Sequence, residues 1–143
     1  MDFRKATQED LDYIRQNPYE GAVKDYPYME VPDKNCYTAI FEGNVVGIGG
    51  LNQWREGVGL FWLIITDMCL KGGLHGIIAL QAIRDKTNEL IESNNLWRAE
   101  AHVRVDFPKA IKMIEFLGFQ REGTMRKFFP DKVDGYLYSR IIT

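Results

Sequence analysis

The chain has 143 residues, 45% of them hydrophobic, and its 18 Lys and Arg against 20 Asp and Glu leave a net charge of −2. A chain of this length buries about two-thirds of the surface it exposes when unfolded, so one globular domain over residues 1–143 is expected, with no need of disulfide or metal staples. The charge balance lacks the basic excess that neutralising phosphates requires, which argues against nucleic acid as a partner.

Residues 2 to 6 read as a short strand. Thr7 then caps a helix whose first turn carries Glu9 and Asp10, with Leu11 and Ile14 as its apolar face and Asn17-Pro18 as its end. Tyr19 to Asp33, with Pro27 and Pro32 among tyrosines and methionines, reads as irregular. Cys36 to Phe41 and Val45 to Leu51 are β-rich and flank Glu42-Gly43-Asn44, where Gly43 and Asn44 suit the positive φ of a tight hairpin. A second polar turn, Gln53 to Gly57, leads into Val58 to Thr66, a strand apolar on both faces and therefore central in its sheet.

From Leu74 the period changes. Ile77, Leu80, Ile83, Thr87, Leu90 and Ile91 predict a long amphipathic helix ending near Asn94-Asn95. Trp97 to Val105 returns to strand, and Asp106-Phe107-Pro108 opens another helix with Asp106 as the expected N-cap and Ala110, Ile111, Ile114 and Leu117 inward. Gly118 stops it, and strands over 119–129 and 133–142 are joined by Pro130-Asp131-Lys132. A mixed α/β layered domain follows.

The N-terminal Met1-Asp2-Phe3-Arg4-Lys5 has no apolar stretch behind its charges, and the longest apolar run, Val58 to Ile65, is far shorter than a membrane span. No membrane partner and a cytoplasmic location are expected, with Cys36 and Cys69 both reduced. Neither the cysteines nor His75 and His102 make a metal-binding spacing, so no metal is expected.

The passage Thr66-Asp67-Met68-Cys69-Leu70-Lys71-Gly72-Gly73-Leu74-His75-Gly76 joins the central strand to the long helix. Glycines and a lysine at a helix N-terminus can present main-chain N–H groups and the positive dipole end to phosphate oxygens. The plain alternative is a glycine-rich turn with no ligand. The spacing fits neither a Walker A loop nor a G-x-G-x-x-G fingerprint.

A second informative stretch runs from Ala110 through Leu117-Gly118-Phe119 to Gln120-Arg121-Glu122-Gly123, a helix that ends and returns at once as a strand. With the element order, it resembles the Gcn5-related N-acetyltransferase (GNAT) family over the whole chain. Glu100-Ala101-His102-Val103 followed by Leu117 to Gly123 is similar to the ribosomal-protein acetyltransferase branch. Met125-Arg126-Lys127-Phe128-Phe129 and Asp134-Gly135-Tyr136-Leu137-Tyr138-Ser139-Arg140 resemble compact members encoded by bacteriophages and prophages.

This resemblance implies an α/β (α+β) fold, with a mixed central sheet of six to seven strands flanked by about four helices. It implies acetyl-CoA as co-substrate and an amine acceptor, either a small amine or the amino group of a host or phage protein. The amine attacks the thioester directly, main-chain groups at Ile64, Ile65 and Thr66 polarise the carbonyl, and a strand splay admits the pantetheine arm. Leu70, Lys71, Gly72, Gly73, Leu74, His75 and Gly76 are the implied pyrophosphate loop, with Lys109 as a further cofactor contact. Tyr26-Pro27-Tyr28-Met29 corresponds to the loop on the acceptor side. The assembly is expected to be a monomer or a homodimer.

The departures from the family pattern are specific. Leu74 stands where the first loop glycine belongs, Phe107 where an asparagine is usual, and Ile114 where a general-acid tyrosine is frequent. The leaving thiolate then takes its proton from water or from Tyr136 or Tyr138, whose ordinary reading is strand tyrosines with solvated hydroxyls. His102 falls at a glutamate position of the ribosomal branch, and a neutral imidazole suits a base near pH 7. Its ordinary reading is a sheet histidine bonded to main chain. Glu56 and Asp67 are the other candidate bases, each otherwise a solvated turn carboxylate. Because Leu74, Phe107 and Ile114 replace functional groups, a catalytically silent binding or phage-particle-associated protein of the same fold is the competing reading.

Overall fold

A computed structural model describes residues 1–17, 30–66 and 73–143. Its elements are β1 (Asp2–Lys5), α1 (Gln8–Gln16), β2 (Cys36–Phe41), β3 (Asn44–Arg55), β4 (Val58–Ile65), α2 (Gly73–Ser93), β5 (Arg98–Arg104), α3 (Pro108–Phe116), β6 (Gln120–Met125) and β7 (Gly135–Ile141). The seven strands form a mixed sheet in the order β1-β2-β3-β4-β5-β7-β6, with β4 and β5 parallel. Three helices lie among the described residues, where about four were expected. The chain divides into two compact units, Met1–Leu51 with Leu63–Ala82, and Asn52–Trp62 with Ile83–Thr143.

In the first unit, α1 starts where the sequence places it. The Thr7 hydroxyl accepts from the Asp10 N–H, and the Asp10 carboxylate accepts from the Thr7 N–H at 3.0 Å, closing a capping box. The same carboxylate is buried, and it takes two bonds from Arg4, at 2.7 and 2.8 Å, and one from the Thr38 hydroxyl at 2.7 Å. Burial by itself would raise the Asp10 pKa, but these donors from Arg4, Thr38 and Thr7 hold it below the ordinary 3.8. One side chain therefore ties α1 to both β1 and β2. Leu11 and Ile14 beside it are fully buried, each contributing roughly 1.5–3 kcal/mol by area. Cys36 is a buried free thiol whose pKa is pushed up to about 11 by burial and by the Asp10 charge.

The hairpin between β2 and β3 turns on Glu42 and Gly43, at φ +50 and +79, and Asn44 is already the first residue of β3. The positive φ expected at Asn44 therefore falls on Glu42. β3 also runs to Arg55, four residues beyond the expected end, through exposed positions Asn52, Gln53, Trp54 and Arg55 that lack the alternation of a half-buried strand.

In the second unit, the β3–β4 hairpin closes at Gly57, φ +75. Gly57 O accepts from both Trp97 N–H (2.9 Å) and Arg98 N–H (3.0 Å), and a Cβ at position 57 would lie 2.2 Å from the Trp97 ring. Only glycine fits there. β5 pairs with β7 antiparallel from Arg98↔Ile141 to Arg104↔Gly135. The face of this pair that carries Ala99, Ala101 and Tyr138 is buried, and Ile114, Leu117 and Phe119 add to that core.

Two boundaries differ from expectation here, and one position in α2, within the first unit, does as well. Asp106 does not cap α3; it accepts from Arg104, which also grips Asp131, and Phe107 is the N-cap without a side-chain bond. β6 ends at Met125, since Lys127 adopts φ +51 and starts a turn. Ile77 in α2 is 53% exposed, because the buried stripe runs Gly76, Ala79, Ile83, Thr87, Leu90 and Ile91 and Ile77 lies a helical step off it.

Candidate active site

The first unit holds the expected cofactor residues at the end of β4 and the start of α2. Thr66 is buried, and its N–H and hydroxyl both donate to Val46 O, at 3.0 and 3.3 Å. Its amide is spent inside the sheet, contrary to the cofactor role expected of it. Main-chain groups alternate direction along a strand, so Ile64 shares the Thr66 direction while Ile65 and Leu63 point to the edge of β4 away from β3. Of the three expected carbonyl-polarising positions, Ile65 alone has main-chain groups not turned toward β3, and Leu63 shares its direction, which side-chain identity does not mark.

Leu70, Lys71 and Gly72, like Asp67 and the Tyr26-to-Met29 segment, lie outside the described residues. Gly73 opens α2 at φ +77, with nothing within 4 Å of where its Cβ would be. Leu74 is 68% exposed and Gly76 is buried. His75 is exposed, sits edge-on to Phe41 (5.2 Å) and lies 4.0 Å from the Glu42 carboxylate. That carboxylate, from the β2–β3 turn, was not anticipated beside a helix end expected to meet phosphate.

In the second unit, strand alternation separates the catalytic candidates. Ala101 pairs with Tyr138, and His102 with Leu137, so Tyr138 and His102 project from opposite faces of the β5–β7 pair. Tyr138 is 1% exposed. Its hydroxyl donates to Glu115 on α3 at 3.3 Å and is bonded to Arg121, whose guanidinium it helps keep protonated. The solvated hydroxyl expected of Tyr138 is thus replaced by one fixed between a carboxylate and a guanidinium.

His102 is half-buried on the other face and makes no side-chain hydrogen bond among the described residues, so the expected main-chain bond is absent from them. Burial lowers its pKa below the ordinary 6.5, and the Glu100 charge two residues away opposes that shift in part. The imidazole is neutral at pH 7. Its ring packs edge-to-face with Phe128, centroids 4.7 Å apart at 74°. On the same face Arg98 bonds Glu100 (2.8 Å) and Glu122 (2.8 Å), and Ser139 Oγ donates to Glu122. Arg104 is bound by Asp106 and Asp131. The face is a row of satisfied charges with one ionisable ring left to interact.

Glu56 is exposed in the β3–β4 turn, before the first β4–β5 pair, Val58↔Arg98, whereas His102 follows the last, Phe61↔Ala101. The four-pair ladder sets them about 10 Å or more apart. Lys109 is exposed in the first turn of α3, again at a distance in sequence and element from Glu56. Among the described residues no group of three or more His, Cys, Asp or Glu converges as a metal site, and no helix is long and apolar enough to cross a membrane.

No protein-family model matches the chain, and no curated protein matches it. Solved structures do. A ribosomal-protein-alanine N-acetyltransferase from Brucella melitensis superposes with a TM-score of 0.72 at 17% identity, over 99% of this chain and 100% of that one. A GNAT-family acetyltransferase from Bacillus anthracis gives 0.72 at 18% identity, over 97% and 93%. The spermidine N-acetyltransferase from Vibrio cholerae, solved in complex with CoA and spermine, gives 0.69 at 20% identity, over 98% and 94%. With matches of this extent and a seven-stranded mixed sheet in which β4 and β5 run parallel, the chain has the fold of the Gcn5-related N-acetyltransferases.

Proposed function

We propose that the chain is an acetyl-CoA-dependent N-acetyltransferase acting on a primary amine of a protein or a small molecule. The observation that carries the reading is His102, a neutral, half-buried imidazole with no hydrogen bond to a described residue, on β5 of a fold shared with N-acetyltransferases. The spermidine enzyme's complex with CoA and spermine supports both substrate classes.

In the proposed reaction the amine nitrogen bonds to the thioester carbonyl carbon and the carbon–sulfur bond breaks. A His102 ring nitrogen takes the ammonium proton before attack, and the second proton, which the nitrogen loses as the amide forms, passes through water to the departing CoA thiolate. Leu63 and Ile65 supply main-chain groups toward the carbonyl oxygen, where donors fixed in advance lower the barrier most. Tyr138 is not the acid in this scheme, because its hydroxyl faces Glu115. Loop residues Lys71 and Gly72, with Gly73 and the first turn of α2, bind the pyrophosphate.

The test has two stages. Acetyl-CoA is expected to raise the melting temperature, as a ligand selective for the folded state must. An acceptor panel of polyamines, aminoglycosides and lysine or N-terminal peptides should then release CoA thiol with at least one member. The competing reading, a silent binding module, is favoured by one observation: Ile114, at the family's tyrosine position, is 6% exposed and apolar. It gains the case if acetyl-CoA binds and no acceptor turns over. If no acyl-CoA shifts melting, the transferase reading fails.

A further inference from the structure

We propose that Phe128 is a positioning residue for His102, its ring holding the imidazole in one orientation on the β5 face and screening one side of it from water. The proposal rests on the reading of His102 as the proton acceptor, and it concerns a residue 26 positions away in the sequence.

Phe128 is placed by the backbone of the turn between β6 and β7. Lys127 N–H donates to the Asp134 carboxylate at 2.8 Å, and Phe128 N–H and Phe129 N–H both donate to Val133 O at 3.1 Å. Lys132 N–H closes the turn onto Phe129 O at 2.8 Å. Four bonds across eight residues fix where the two rings start. Beneath them is Gly135: a Cβ there would lie 3.1 Å from Phe129 and 3.4 Å from Phe128. Gly135 pairs with Arg104, on the face that carries His102, and its missing side chain is what lets the rings lie down on that face.

The two phenylalanines then divide the work. Phe129 is 7% exposed, beneath the Arg104 guanidinium at 5.3 Å, and belongs to the core. Phe128 is 43% exposed, stacks edge-to-face on Phe129 at 5.2 Å, and spends its other contact on His102. A large aromatic left nearly half in water by a turn this well bonded is poorly explained by core packing. An edge-to-face contact of this geometry favours one orientation of the imidazole over the others.

The charged groups around the imidazole are accounted for. On β5 they are Glu100, held by Arg98, and Arg104, held by Asp106 and Asp131. β7 presents Gly135, Leu137 and Ser139, none of them acidic or basic, and β6 presents Glu122, which is committed to Arg98 and Ser139. Lys127 and Asp134 are in the turn itself, joined through the Lys127 main chain. Removing the Phe128 ring leaves all of these in place and changes only orientation and water access.

The experiment is a proton NMR titration of the two histidines, with His75 as internal reference, in the wild type, Phe128→Leu and Phe128→Ala. In the wild type the His102 ring protons should carry a ring-current displacement that both variants lose. In Phe128→Ala the His102 pKa should rise toward the ordinary imidazole value, and by less in Phe128→Leu, which keeps an apolar screen. Phe128→Leu guards against misfolding of the alanine variant. An unchanged His102 titration and unchanged ring protons in both variants overturn the proposal. With an acceptor in hand, the acidic limb of kcat/KM should follow the NMR value in each variant. If the wild type turns over no acceptor, the transferase reading fails while the NMR comparison still decides whether Phe128 sets the imidazole.

Discussion

The start of α2 and the open face of β5 offer their candidate groups by different means. At the end of β4 and the first turn of α2, the candidate groups are main-chain ones, and their availability is decided by strand direction. Thr66 gives its amide to Val46, while Leu63 and Ile65 point the other way. On β5 the candidate groups are side chains, and availability is decided by pairing: Arg98, Glu100, Glu122 and Arg104 are all committed, and His102 is not. A region that works through its backbone tolerates a wide choice of residues. A region that works through one ring depends on that ring and on whatever holds it.

The sharpest way to break this contrast is His102→Ala. At pH 7 it should lower kcat by about 100-fold or more, the usual size of a general-base contribution, with acetyl-CoA still raising the melting temperature. Turnover within a few-fold of wild type would remove the imidazole from the mechanism and leave only main-chain positioning.

A smaller effect is expected at Asp10, where a side chain serves stability alone. Asp10→Asn should cost about 1–3 kcal/mol in urea unfolding, since the neutral amide keeps a single acceptor oxygen and sets its NH2 against donors, either Arg4 or the Thr38 hydroxyl and the Thr7 N–H. The pH dependence has a definite sign. A carboxylate whose folded pKa lies below the unfolded value stabilises above the unfolded pKa, and that contribution fades as pH falls below about 3.8 through the depressed folded value. The asparagine variant should show a correspondingly weaker loss of stability at acid pH, and wild-type steepness in its acid limb would contradict the assignment.

The smallest effect is expected at Leu74, on the exposed first turn of α2. Leu74→Gly restores the family's loop glycine and should strengthen the acetyl-CoA melting shift by a few-fold in apparent affinity, while costing about 1 kcal/mol of helix stability. An unchanged shift after correction for that loss would mean Leu74 does not crowd the cofactor.

How much of this the sequence discloses follows the same division. Cys36–Phe41 and the capped start of α1 are legible because local pattern and local hydrogen bonds decide them. His102 is legible as a candidate because its residue type and its place before Leu117-Gly118-Phe119 mark it. Tyr138 is misread, since its partners Glu115 and Arg121 reach it across the unit and leave no trace in its neighbourhood. Asp106 is misread for a local reason: Arg104, two residues before it, takes its carboxylate before the helix can. Phe128 has the sequence signature of a strand end, and only the fold brings it to His102.

The Gly57 hairpin carries one more consequence. Two amide protons, those of Trp97 and Arg98, hang on a single carbonyl, and the indole occupies the space any other residue at 57 would need. The tip of the β3–β4 hairpin and the first rung of β5 must therefore come apart in one event. In hydrogen exchange the two amides would open with a shared free energy, and the indole's fluorescence offers a built-in optical clock for that opening.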